Sequence, residues 1–200
     1  MSTEGYLIAI EPAIRHMFAA LAEYDAMPLP DIFDYVDEDG HVRMTPAENQ
    51  EYMKQVIEYM ELDEARAITC GSILQVAFSA IRLHSKNQTL SQSAIDIGIT
   101  KGHAAEPFCI GRIVHSIPIG LLIYAGRIQY NHWQEGEPWN KVAREVLRRL
   151  YMVHYQNPLF DLAYDLEFPS PHPVSHYIVR LELKWNGFED FDADLRQMLL

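Results

Sequence analysis

The residues best placed to do chemistry follow an apolar run from Ile119 to Gly126, which ends in Arg127, Gln129, Tyr130, Asn131, His132 and Trp133. Polar groups at the end of a core helix need partners or a task. A guanidinium such as Arg127 binds phosphate oxygens and stabilises charge developing at phosphorus. The imidazole of His132 titrates near neutral pH and can take or give a proton. Asn131 can orient either group. The chemistry indicated is proton transfer and charge stabilisation at a phosphoester. Helical positions five apart differ by about 140°, because each residue turns about 100°. Arg127 and Asn131 therefore share a face, and Arg127 and His132 do not. One phosphate meets both only if the helix ends near Asn131, or if a second subunit supplies the other half.

The Arg-x4-His spacing is not selective by itself in a chain with 11 Arg and nine His. Arg149 and His154 repeat it, on an amphipathic helix with Arg144, Arg148 and Tyr155. Context separates the two pairs: a central helix, Asn131 beside the His, and a helix stop at Gly136 and Pro138. Arg82 precedes a polar stretch and can add a phosphate contact. Arg144, Arg148 and Arg149 form a basic stripe able to carry substrate, though a solvated helix face is its ordinary role. Arg66, Arg82 and Arg112 are second-tier candidates, for each of which a salt bridge or a surface position is the ordinary reading.

Other chemistries find less support. Paired Glu-x-x-His motifs of a di-metal bundle are missing; the single such spacing, Glu38 to His41, crosses a glycine turn. There is no His-Glu-x-x-His, and Pro173 separates His172 from His176. An EF-hand loop around Gly40 would need acids where Tyr35 and Pro46 stand. No metal site and no cofactor are expected. Gly-x-Ser-x-Gly, Walker and Gly-x-Gly-x-x-Gly sequences do not occur. Cys70 lies mid-helix among apolar residues, where a thiol is packing.

The Arg127 to His132 segment resembles the signature of the HEPN superfamily of small helical ribonucleases: Arg, four to six residues, then His, near the end of a buried helix. The motif likeness covers residues 117–134, and the helical layout extends it weakly. Ile128 stands where the family usually has a polar residue, often Asn or Asp. The resemblance implies a homodimer with two motifs facing each other, and metal-free cleavage of RNA by its own 2′-hydroxyl. It also implies a role in phage defence or toxin–antitoxin control. In those terms Arg127, His132 and Asn131 are the catalytic group, and Arg82, Arg144 and Arg148 bind substrate. The alternative is a non-catalytic helical binding or dimerisation module, an antitoxin-like partner or a degenerate HEPN protein.

These residues require a helical frame. Heptad-like apolar spacing predicts a helix over 2–25, starting at Pro12 if the proline interrupts it. Residues 32–45 read as a small β-hairpin around Asp39-Gly40. Thr45-Pro46-Ala47-Glu48 is a capping box opening a helix to about Met60. A second helix over 63–84 follows with little or no break. Residues 85–107 read as a long polar loop. Helices are expected over 119–133, 140–155, 160–166 and 188–200, with a rigid loop at Phe168–Pro173. Residues 174–185 fit strand or helix. The fold class is mainly α, a single domain over 1–200 with five to six helices and a small hairpin. Helices 63–84 and 119–133 should be central.

Composition agrees. The 200 residues are 48% hydrophobic and 22% charged, enough for a core and too apolar for disorder. Two cysteines cannot form a disulfide scaffold. Without an 18-residue apolar run or a basic leader followed by an apolar stretch, the expectation is a cytoplasmic protein with no membrane partner. The net charge of −12 argues against non-specific coating of nucleic acid. Yet residues 65–157 carry +5 between acidic flanks of −12 and −5. A phosphate-bearing ligand should meet this middle segment.

Overall fold

The computed structural model describes residues 1–27, 35–37, 39, 41–132, 140–155, 164 and 174–200. Helix α1, Thr3–Asp25, starts where the Ser2 side chain accepts the Gly5 N–H at 3.1 Å. It does not start at Pro12. The proline leaves the Ile8 carbonyl without its helical donor, and Ile8 lies on the exposed face, where water can supply one. Helix α2, Pro46–His84, begins with both bonds of the Thr45–Glu48 capping box. The two helices expected over 45–84 are one, because Met60-Glu-Leu-Asp-Glu64 contains no glycine or proline to break it. An 18-residue window of α2 is long and apolar enough to cross a bilayer by length and composition, and half of it is buried inside the bundle.

The 32–45 region makes one antiparallel bridge, Val36 with Val42, flanked by the bonds Asp37 N–H to His41 and Arg43 N–H to Tyr35. Residues 28–34, 38 and 40 lie outside the described residues. The paired strands stand elsewhere, β1 at Ile113–Val114 and β2 at Ile117–Pro118. Residues 85–107 are no plain loop. They hold α3, Gln92–Asp96, and a 3-10 turn at Glu106–Phe108. Scattered apolar residues, Ala94, Ile97, Ile99 and Ala105, are buried there beneath a polar exterior. Asn87 ties the segment by donating to the carbonyls of Thr89 and Glu106, each at 3.0 Å.

Helix α4 spans Ile119–His132 and α5 spans Lys141–His154, capped by Asn140. Within 174–185, residues 175–182 are helical: α6, Ser175–Tyr177, runs into a π-helical turn, Ile178–Glu182. Helix α7, Phe188–Leu199, ends the chain. The expected helix over 160–166, the Phe168–Pro173 loop and the stop at Gly136 and Pro138 lie outside the described residues, Tyr164 excepted. The fold is mainly α, as expected, with α2 and α4 at its centre. Gly71 lets them approach: a Cβ there would come within 2.3 Å of the Tyr130 ring. Every α4 residue from Ile119 to Gly126 is buried within this one chain.

Candidate functional site

Arg127 is the first residue of α4 to leave the core, and it is half-buried. Its Nε donates to Oε1 of Gln75 on α2 at 2.8 Å, and its guanidinium carbon lies 4.7 Å from the Phe78 ring centroid. In the amide orientation its surroundings require, the Asn131 oxygen accepts from Arg127 Nε and Nη2, each at 3.0 Å. The shared face of Arg127 and Asn131 follows from their separation by one helical turn. Burial, and then the nearby positive charge of Arg82, pull the Arg127 guanidinium below its ordinary pKa. It stays a cation regardless.

Among the described residues, no carboxylate pairs with Arg127, Arg82 or Arg144. The other arginines all have one. Asp25 serves Arg66 and Arg180, and Asp194 serves Arg112. Arg15, Arg43 and Arg196 pair with Glu11, Asp37 and Asp192. Glu145 holds Arg148 through two bonds of 2.8 and 2.9 Å and Arg149 at 3.1 Å. The basic stripe on α5 thus reduces to exposed Arg144, with Arg148 already engaged. Acidic residues outnumber basic ones 28 to 16 in this chain, so arginines left without acids are uncommon positions. Two of them, Arg82 and Arg127, are close enough to repel.

His132 is half-buried as the last residue of α4. Since α4 is helical to that point, His132 points about 140° away from Arg127 around the axis. The structure brings Arg127 and Asn131 together, with Arg82 near enough for its charge to act on Arg127, and leaves His132 on another side of the helix. Sequence reasoning missed Gln75 and Phe78, which hold Arg127. The available signal was weak: a Gln on the otherwise apolar side of a central helix.

Cys70 is buried, and burial raises its thiol to about 12; Cys109 is raised to about 11 by burial and then by Glu106. Neither is a nucleophile at neutral pH. His154, paired in sequence with Arg149, turns instead to Glu182, whose carboxylate is 1% exposed. Buried Tyr164 donates to the same carboxylate, and burial holds its phenol well above the ordinary range. Comparison of the chain with protein-family models, curated proteins and solved structures finds no match.

Proposed function

We propose that this chain is a metal-independent endoribonuclease of HEPN type, cleaving RNA by 2′-hydroxyl attack at a site completed across a homodimer. The observation that carries this reading is Arg127, held by the neutral Gln75 and Asn131 with the positive charge of exposed Arg82 nearby, neither arginine paired with a carboxylate among the described residues. A guanidinium held this way keeps its full charge for an anion.

In the proposed reaction, the imidazole of one His132 takes the 2′-hydroxyl proton. The 2′ oxygen attacks the adjacent phosphorus, the bond to the 5′ oxygen breaks, and an imidazolium protonates that leaving oxygen. Arg127 binds the non-bridging oxygens and stabilises their growing charge, and Asn131 fixes the plane of the guanidinium. Arg82 and Arg144 hold flanking phosphates. DNA, lacking the 2′-hydroxyl, is not cut. The 140° offset is the reason for a second copy: His132 of one chain faces Arg127 of the other. The apolar run of α4 is covered within the chain, so the dimer face is its last turn, with half-buried Ile128 and exposed Asn131. A defence or toxin–antitoxin setting, with a protein antitoxin as partner, belongs to the same reading.

The unbroken helix through His132 favours a second reading, a non-catalytic helical module, if the protein is a monomer. The test is incubation of the purified chain with single-stranded RNA in chelator, alongside light scattering. The expected outcome is a dimeric mass and fragments ending in 2′,3′-cyclic phosphate. Intact RNA from a monomeric protein would establish the second reading.

A further inference from the structure

Three segments far apart in sequence converge on one buried carboxylate. His115 stands at the tip of the β1–β2 hairpin, His154 ends α5, and Glu182 ends the π-helical turn. The Nε2 of His154 lies 2.8 Å from Oε1 of Glu182, and the Nε2 of His115 lies 3.3 Å from Oε2. The imidazole rings are 5.6 Å apart and nearly perpendicular, at 82°. The Tyr164 hydroxyl donates to Oε1 of Glu182 at 3.0 Å. All three ligand-type atoms lie within 4.8 Å of one another.

We propose that His115, His154 and Glu182 bind one first-row divalent metal ion, zinc foremost, through three protein ligands with the remaining positions open to water. This goes beyond the ribonuclease reading, which uses none of these residues. Two imidazoles and one carboxylate are the donor set of zinc and its neighbours, whereas calcium and magnesium prefer oxygen alone. Two ligand atoms on a tetrahedral zinc stand about 3.4 Å apart, given bonds of about 2.1 Å. The two histidine–carboxylate separations, 2.8 and 3.3 Å, lie just below that value and the three ligand atoms stay within 4.8 Å, so an ion enters with side-chain adjustments of about an ångström.

Access and charge point the same way. Glu182 forms a sealed floor, while the side chains of His154 and His115 are 19% and 38% exposed. The mouth is therefore open on the histidine side. Among the described residues no lysine or arginine pairs with Glu182. A buried carboxylate is costly unless a cation or hydrogen bonds compensate it, and a divalent ion would add to the compensation that Tyr164 supplies. Tyr164 supplies the outer hydrogen bond that orients a ligating carboxylate.

The local backbone is also unusual. His115 and Ser116, the two central hairpin residues, both have positive φ, 49° and 63°. Such turns ordinarily take Asn-Gly or Gly-Gly, and non-glycine residues there are strained. This turn aims His115 back at Glu182. The π-helical turn shifts Glu182 out of α-helical register, a device frequent at functional sites.

The second His–carboxylate group, Asp37, Asp39 and His41, serves as a control. It is largely exposed, and Asp37 is already paired with Arg43 at 2.5 Å. The full chain is stripped with chelator, desalted and titrated with Zn2+ by calorimetry, and with Co2+ by visible absorption. One equivalent of zinc, ligand-field bands from cobalt and a zinc-dependent rise in melting temperature are expected. His115→Ala, at an exposed hairpin tip that leaves the core intact, should weaken zinc by at least about tenfold and abolish the melting shift. Tyr164→Phe should weaken it by about tenfold. His41→Ala should change nothing. No stoichiometric zinc binding, or binding that His115→Ala leaves unchanged while His41→Ala removes it, overturns the site. RNA cleavage in chelator is read separately, so neither proposal's failure can be taken for the other's.

Discussion

The Nε of Arg127 donates to Oε1 of Gln75 across 2.8 Å, so a charge on α4 is held by a neutral amide on α2. A carboxylate at that position would pair with the guanidinium and cancel the field it offers a phosphate. Gln75→Glu is therefore expected to lower RNA cleavage by at least about tenfold while keeping or raising stability. Arg127→Ala should cost on the order of 10²–10³ in rate. Gel assays of labelled RNA beside urea melts separate the two effects. Unchanged cleavage in Gln75→Glu would show that the Arg127 charge is not used.

His132 and His154 repeat one sequence spacing in two settings. In chelator, His132→Ala should abolish cleavage, and His154→Ala should leave its rate within about twofold while lowering stability, since it strips a partner from buried Glu182. If His154→Ala kills cleavage and His132→Ala does not, the catalytic assignment is wrong.

Gly71 admits the Tyr130 ring to the surface of α2, and a Cβ would meet its carbons at 2.3 to 2.5 Å. Gly71→Ala is expected to destabilise the fold by about 1–3 kcal/mol, despite the better helix propensity of alanine. Tyr130→Ala should relieve part of that loss in the double variant. Urea denaturation of the four proteins measures the coupling, and additive losses would argue against this contact.

Both thiols are protonated and covered, with Cys70 raised to about 12 and Cys109 to about 11. A disulfide-exchange reagent at neutral pH should label neither in the native protein, and both at once in denaturant. Rapid native labelling of Cys70 would show that α2 opens there.

His176 has its pKa lowered, chiefly by burial; Asp63 and Asp25 oppose the shift, and Arg66 and Arg180 reinforce it. Below about pH 6.5 the unfolded chain takes up a proton that the native ring resists. The contribution is thus complete above that pH and is lost as pH falls toward the lower native value. His176→Gln should flatten the decline in unfolding free energy between about pH 7.5 and about pH 5.5. An identical slope in the variant would place the titrating group elsewhere.

Local chemistry was readable from the chain itself. The capping signal at Thr45, and apolar spacing in 63–84 and 119–133, specified helices and their buried faces, because these depend on neighbours a few residues away. The shared face of Arg127 and Asn131 was readable for the same reason. The fusion of two expected helices into α2, and the start of α1 ahead of Pro12, were less so. The start of α1 sets the local break at Pro12 against burial of Leu7 and Ile14, and the unbroken α2 rests on the absence of a glycine or proline between Met60 and Glu64. Local pairs such as Glu11 with Arg15 follow from helical spacing, but the long-range ones were invisible, since Asp194 reaches Arg112 across 82 residues. The meeting of His115, His154 and Glu182 was invisible too. No spacing rule links a hairpin tip, a helix end and a π-helical turn, and only packing of those elements around a common core brings them to one point.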